Sequence, residues 1–198
     1  MTAWIDMLPI ASATGKLKKL FEKVKTPHGT VDNVLHVHSL RPATMEGHIV
    51  LYRGALHSDD NTLPFWLLEV VGVYTSMLNN CDYSQQHHIV NVRRLIDDKV
   101  RSGTIIDALL EDSPEKVFAG RDLAILRYVR ALTLNVQGID KALVDVLRAE
   151  GCDDGQILEV NQVCSYFNYA NRLLNGLGVS TEGDVIGYYS DDAAEEGV

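Results

Sequence analysis

The chain has 198 residues, 46% hydrophobic and 23% charged, which suits one domain with a core of its own. Its formal net charge is −9 and no basic run exceeds the short Lys16-Leu-Lys18-Lys19 patch, which argues against nucleic acid as a partner. No apolar run reaches the roughly 18 residues needed to span a bilayer, no secretion signal is read at the start, and three scattered cysteines do not make a disulfide scaffold, so a reducing, cytoplasmic setting is expected.

Nearly every segment has helical periodicity. Leu17, Leu20, Phe21 and Val24 recur at i, i+3, i+4, i+7 and predict a helix over 13–25, ended by Thr26-Pro-His-Gly29. A short helix over 31–39 stops before Arg41-Pro42. Residues 44–56 place Met45, His48, Ile49, Tyr52 and Leu56 on one side. After the polar loop Ser58-Asp-Asp-Asn61, residues 64–78 are apolar nearly all round, the pattern of a buried helix. Asn79-Asn80 signals a turn, and Cys81 begins a second helix that runs to about Lys99. Further helices are expected over 105–110, 121–133 and 139–150, the last ended by Gly151, with a capped segment from Ser113. Asp153-Asp154 caps a long helix over 155–177, which Gly176 and Gly178 close. The expected architecture is all-α: one helical domain over 1–180, then an extended or mobile acidic tail over 181–198 in which 184–189 admits a short extended segment.

The central pair of helices carries the chemistry. In a hairpin about Asn79-Asn80, residues whose numbers sum to about 157 or 158 lie level, so Glu69 and His88 are predicted to face each other. Cys81, Ser84, Gln85 and His88 fall on one stripe of the second helix. A cysteine at a helix start feels the positive end of the dipole, which favours thiolate. A histidine below it can move a proton, and a buried glutamate behind the ring fixes its tautomer. Structural pairing of Glu69 with Arg93, Arg94, Arg127 or Arg130 is the competing reading. Of the adjacent His87 and His88, one is expected to face solvent. The set Glu69, Cys81 and His88 matches no standard metal spacing. His28, His36, His38, His48 and His57 are assigned to surface or core, and Cys152 and Cys164 to packing in or near the C-terminal helix. The polar groups in Tyr166-Phe-Asn-Tyr-Ala-Asn-Arg172 line either a pocket or a subunit contact.

At these residues the chain resembles the alkylhydroperoxidase D / carboxymuconolactone decarboxylase superfamily, in its peroxidase-related branch. The family pattern is Glu, eleven residues, Cys-x-x-Cys, three residues, His; this chain has Glu69, Cys81, Ser84 and His88. Asn79-Asn-Cys-Asp-Tyr83, the paired His87-His88 and a second block, Leu147-Arg-Ala-Glu-Gly-Cys-Asp-Asp154 with Tyr166 to Arg172, extend the resemblance over roughly residues 35–180. The resemblance implies an alkylhydroperoxidase D-like multi-helical bundle that assembles into homo-oligomers (dimer, trimer or hexamer), without metal or other cofactor. It also implies a Glu–His proton relay serving a dithiol that reduces hydroperoxides. Here Ser84 replaces the second cysteine, and serine forms neither sulfenic acid nor disulfide. Leu68 stands where relatives often carry arginine.

Three functions follow as expectations, with Glu69, Cys81, Ser84 and His88 as the site. In the first, Cys81 is the single cysteine that reduces a hydroperoxide, with Glu69 and His88 as its proton relay, and it is recycled by an external thiol or by Cys152 or Cys164. In the second, Glu69 and His88 perform acid–base chemistry on a small carbonyl or lactone compound. The third is a helical oligomer with a decayed site, acting in binding or stress response.

Overall fold

The computed structural model describes residues 2–186; residues 187–198, which include most of the expected tail, lie outside the described part. The described residues form an all-α fold without strands. The elements are α1 (Gly15–Val24), α2 (Asn33–His36), α3 (Pro42–Leu56), α4 (Phe65–Leu78), α5 (Asp82–Ile96), α6 (Lys99–Leu110), α7 (Gly120–Leu134), α8 (Lys141–Ala149) and α9 (Asp154–Leu177).

Three expectations shift at their ends. The helix expected over 31–39 survives as one turn, α2, continued by a 3-10 turn at Val37–Leu40. Pro42 bars helical geometry at Arg41, whose φ/ψ of −142/75 breaks the chain, and then opens α3 as its first residue. The helix expected to reach about Lys99 stops at Ile96, where Asp97 turns left-handed with φ of 49°. Asp98 then caps α6, accepting the N–H groups of Val100 and Arg101 at 3.0 and 2.9 Å, so the helix expected over 105–110 begins already at Lys99. The long C-terminal helix is as expected: Asp153 and Gln156 form a capping box, and Gly178 closes α9 with φ of 59°.

The apolar helix α4 is the centre of the fold. Every residue from Leu67 to Met77 is buried, and α5, α6, α7 and α9 pack around it. Gly72 lets α9 approach closely: a Cβ there would fall 2.3 Å from the Phe167 ring. Residues 2–4 are tied to the end of α9 and the segment after it. Trp4 N–H donates to Leu177 O at 2.8 Å, and Ser180 N–H to Thr2 O at 2.9 Å.

Candidate active site

The site begins at the α4–α5 turn. Asn80 adopts φ of 50°, and Cys81 N–H bonds back to Ser76 O at 2.9 Å, which reverses the chain tightly. The two helices then run antiparallel, and the level pair predicted by the hairpin geometry is in contact. His88 Nδ1 lies 2.7 Å from Glu69 Oε2, and Asn91 Nδ2 donates to Glu69 Oε1 at 3.2 Å. Glu69 is wholly buried, so its carboxyl needs these partners. Among the described residues no arginine reaches Glu69, and Arg130 is taken by Asp112 at 2.8 Å. With Glu69 accepting from Nδ1–H, the His88 tautomer leaves Nε2 as the working nitrogen. Phe167 presses edge-on against the ring, 4.7 Å between centroids, and holds its plane.

A cavity of about 410 Å³ opens beside this pair. Its walls include His88, Ser84, His87 and Asn91 from α5, His48, Tyr52 and Arg53 from α3, His57, and Tyr166, Phe167 and Ala170 from α9. The expectation that one of His87 and His88 faces solvent is corrected: both are mostly covered and both line the cavity. Tyr83 stacks on His87 at 4.7 Å, and Asp184 Oδ2 sits 3.3 Å from His87 Nε2.

Cys81 is placed differently from the reading of the stripe. Ser84 and His88 face the cavity, whereas Cys81 is fully buried behind Ser84, packed with Val37, Tyr83, Leu174 and Val179. Burial pushes its thiol up, against the expected thiolate, although the Ser84 N–H and hydroxyl and the Asn171 amide pull the other way. Desolvation, the largest influence on this thiol, opposes the thiolate expected from its place at the helix start. Asn171 organises this corner: its Nδ2 reaches Ser84 Oγ at 3.0 Å and Ser76 Oγ at 3.2 Å, and its Oδ1 accepts from Asn79 at 3.1 Å. Cys164 is buried among Thr75, Thr133 and Asn168, Cys152 lies in the main core, and all three cysteines are free.

Sequence reasoning missed His48 and His57. Both belong to the cavity wall, and His48 hydrogen-bonds Tyr166 with 3.0 Å between Nε2 and the hydroxyl. The usable signal was a histidine and a tyrosine on the otherwise apolar face of α3, where His48 sits between Met45 and Ile49. Of the two roles left open for Tyr166 to Arg172, pocket lining is what Tyr166, Phe167 and Ala170 do. No group of three or more His, Cys, Asp or Glu side chains among the described residues is arranged to hold a metal ion.

No protein-family model matches the sequence, and no curated protein matches it. Solved structures do. One, described as an alkylhydroperoxidase AhpD core and peroxidase-related protein from Ralstonia eutropha, aligns with a TM-score of 0.80 over 94% of this chain and 97% of that one, at 18% identity. A peroxidase-related protein from Silicibacter sp. gives a TM-score of 0.77 over 92% and 93% of the two chains, at 22% identity. The debrominase Bmp8 gives 0.71 over 92% of both chains at 15% identity, and a cysteine-to-alanine variant of it was solved with 2,3,4-tribromopyrrole. The chain therefore has the alkylhydroperoxidase D-like fold, as the resemblance implied.

Proposed function

We propose that this protein is an enzyme that moves protons on a small carbonyl or lactone compound held in the α3–α5–α9 cavity. His88 is the acid–base group and Glu69 orients it. The observation that carries this reading is the partition of the stripe: His88, held by Glu69 at 2.7 Å, lines the cavity, while Cys81 is buried beside Ser84 and does not line it. Ser84 supplies a hydroxyl beside His88, held by Asn171. A small-molecule substrate agrees with the cavity volume and with the bromopyrrole complex of a protein of the same fold. Turnover of small lactones and carbonyl compounds should fall about a hundredfold or more in Glu69→Gln and His88→Gln, and persist in Cys81→Ser. Loss of turnover in Cys81→Ser with retention in His88→Gln would sink this assignment.

A second reading has one observation in its favour: the Cys81 thiol touches Ser84, so a single side chain separates it from the cavity. In that reading Cys81 reduces a hydroperoxide to its alcohol and becomes a sulfenic acid; one external thiol converts this to a mixed disulfide with loss of water, and a second restores the Cys81 thiol and leaves as the external disulfide. The peroxidase-related structures of the same fold support it. Cumene hydroperoxide followed by dimedone should then label Cys81 ahead of Cys152 and Cys164, as read by mass spectrometry.

A further inference from the structure

Two properties of the cavity wall go unused in the proposed reaction: its charge and its rings. Over the whole chain acids outnumber Lys and Arg by 27 to 18. The wall reverses this balance, with three cations, Lys23, Lys25 and Arg53, against one acid, Asp32. Lys25 is taken by Glu22 at 3.1 Å. Lys23 acts on Glu46 only through space, and the Arg53 guanidinium has no ion-pair or hydrogen-bond partner among the described residues.

Arg53 is also close to the reacting pair. It precedes His57 by four residues at the end of α3, so the two share a face of that helix. Burial holds His57 below the usual histidine range; beyond that, Glu69 pulls it up while His88 and Arg53 push it down. Arg53 and the Glu69–His88 pair therefore act on the same ring, which itself lines the cavity. Between them the wall is aromatic. Tyr52 and Tyr166 pack with centroids 5.3 Å apart, Tyr166 and Phe167 at 5.2 Å, and all three line the cavity. Rings in contact favour a flat unsaturated guest over a puckered saturated one.

From the charge and the rings together we infer that the cavity takes a small aromatic carboxylate, its ring against Tyr52, Tyr166 and Phe167 and its carboxylate at Arg53. The planar guanidinium fork matches a carboxylate with two parallel hydrogen bonds. Lys23 adds attraction at longer range. Asp32 on the wall and Glu69 behind His88 oppose a second negative charge, which disfavours a phosphate dianion. The inference rests on the cavity being the substrate site, and its test does not use turnover.

Benzoate and benzamide, alike in shape and different in charge at neutral pH, are the probes, titrated by calorimetry and by the imidazole NMR signals of His57 and His88. Benzoate should bind about tenfold tighter than benzamide, and Arg53→Gln should erase the difference. Added salt should weaken benzoate alone, since Arg53 is exposed to solvent. Cyclohexanecarboxylate should bind a few times more weakly than benzoate, and phenyl phosphate no more tightly. Equal binding of benzoate and benzamide, a preference that survives Arg53→Gln, or still imidazole signals overturns the assignment. A preference lost instead in Lys19→Gln places the anion on the surface patch of α1 and overturns it too. Tighter binding of phenyl phosphate overturns the carboxylate, and tighter binding of cyclohexanecarboxylate overturns the aromatic guest. Turnover that survives in His88→Gln would instead strike the proposed reaction and leave these binding results standing.

Discussion

At the scale of single residues, one oxygen atom separates this site from a dithiol. Ser84 Oγ contacts the Cys81 thiol and is held by Asn171, so a sulfur at that position would face its partner directly across one helical turn. Ser84→Cys is expected to form a disulfide with Cys81 on exposure to hydrogen peroxide, lowering the count of titratable thiols by two relative to the reduced variant. An unchanged thiol count would show that the pocket does not permit the geometry. His48 makes a second prediction at this scale. Its folded pKa, about 4, lies below the ordinary value of 6.5, so the unfolded state binds the proton more readily in between. The stability that the neutral ring contributes is therefore complete above pH 6.5 and is lost as pH falls through that value towards 4, for a total of about 3 kcal/mol. His48→Gln should remove that part of the pH dependence from urea midpoints measured between pH 4 and 7.

At the scale of elements, the α4–α5 hairpin was the most legible part of the molecule. An apolar helix with one glutamate, a two-asparagine turn and a polar stripe locate the Glu69–His88 contact by counting alone. What counting missed depends on backbone geometry or on distant packing. Asp97 adopts a left-handed conformation that few non-glycine residues take, so the end of α5 carries no composition signal. His48 is read as a core residue until α9 brings Tyr166 against it, and Cys81 is read as a reactive helix start until residues far along the chain, Leu174 and Val179, close over it. The same dependence on α9 gives a prediction. Gly72→Ala gains about 1 kcal/mol of helix propensity but forces its Cβ into the Phe167 ring, and overpacking costs about 1–3 kcal/mol. The variant should be destabilised overall by up to about 2 kcal/mol in urea titration. Phe167 should also be pushed against His88, so activity is expected to fall further than Tm does.

At the scale of the whole molecule, the last described segment closes the structure. Asp184 accepts the Asn33 backbone N–H at 3.0 Å and the Tyr83 hydroxyl, and Asn33 Nδ2 in turn donates to Ser180 O and Glu182 O at 3.0 Å each. Burial and the neighbouring Asp184 hold the Tyr83 phenol well above its usual range, so it stays a donor. Residues far apart in sequence thus meet where α2 and α5 flank the cavity, through one acid that composition alone would assign to a solvated tail. Asp184→Ala should cost about 2–3 kcal/mol and raise amide exchange at residues 33–36 and 180–186 more than in α4.

The position of Glu69 has a consequence for how the site is lost. Its carboxyl sits on a helix enclosed on all sides, so no local fluctuation of a loop or a terminus exposes it. Exposing the Glu69 carboxyl to bulk water is therefore expected to require the cooperative unfolding of the molecule itself. Amide exchange in α4 should therefore proceed at the global unfolding free energy. Variants that loosen α6, α7 or α8, which give no residue to the cavity wall, should then shorten the protein's lifetime without altering the intrinsic rate of the molecules that remain folded.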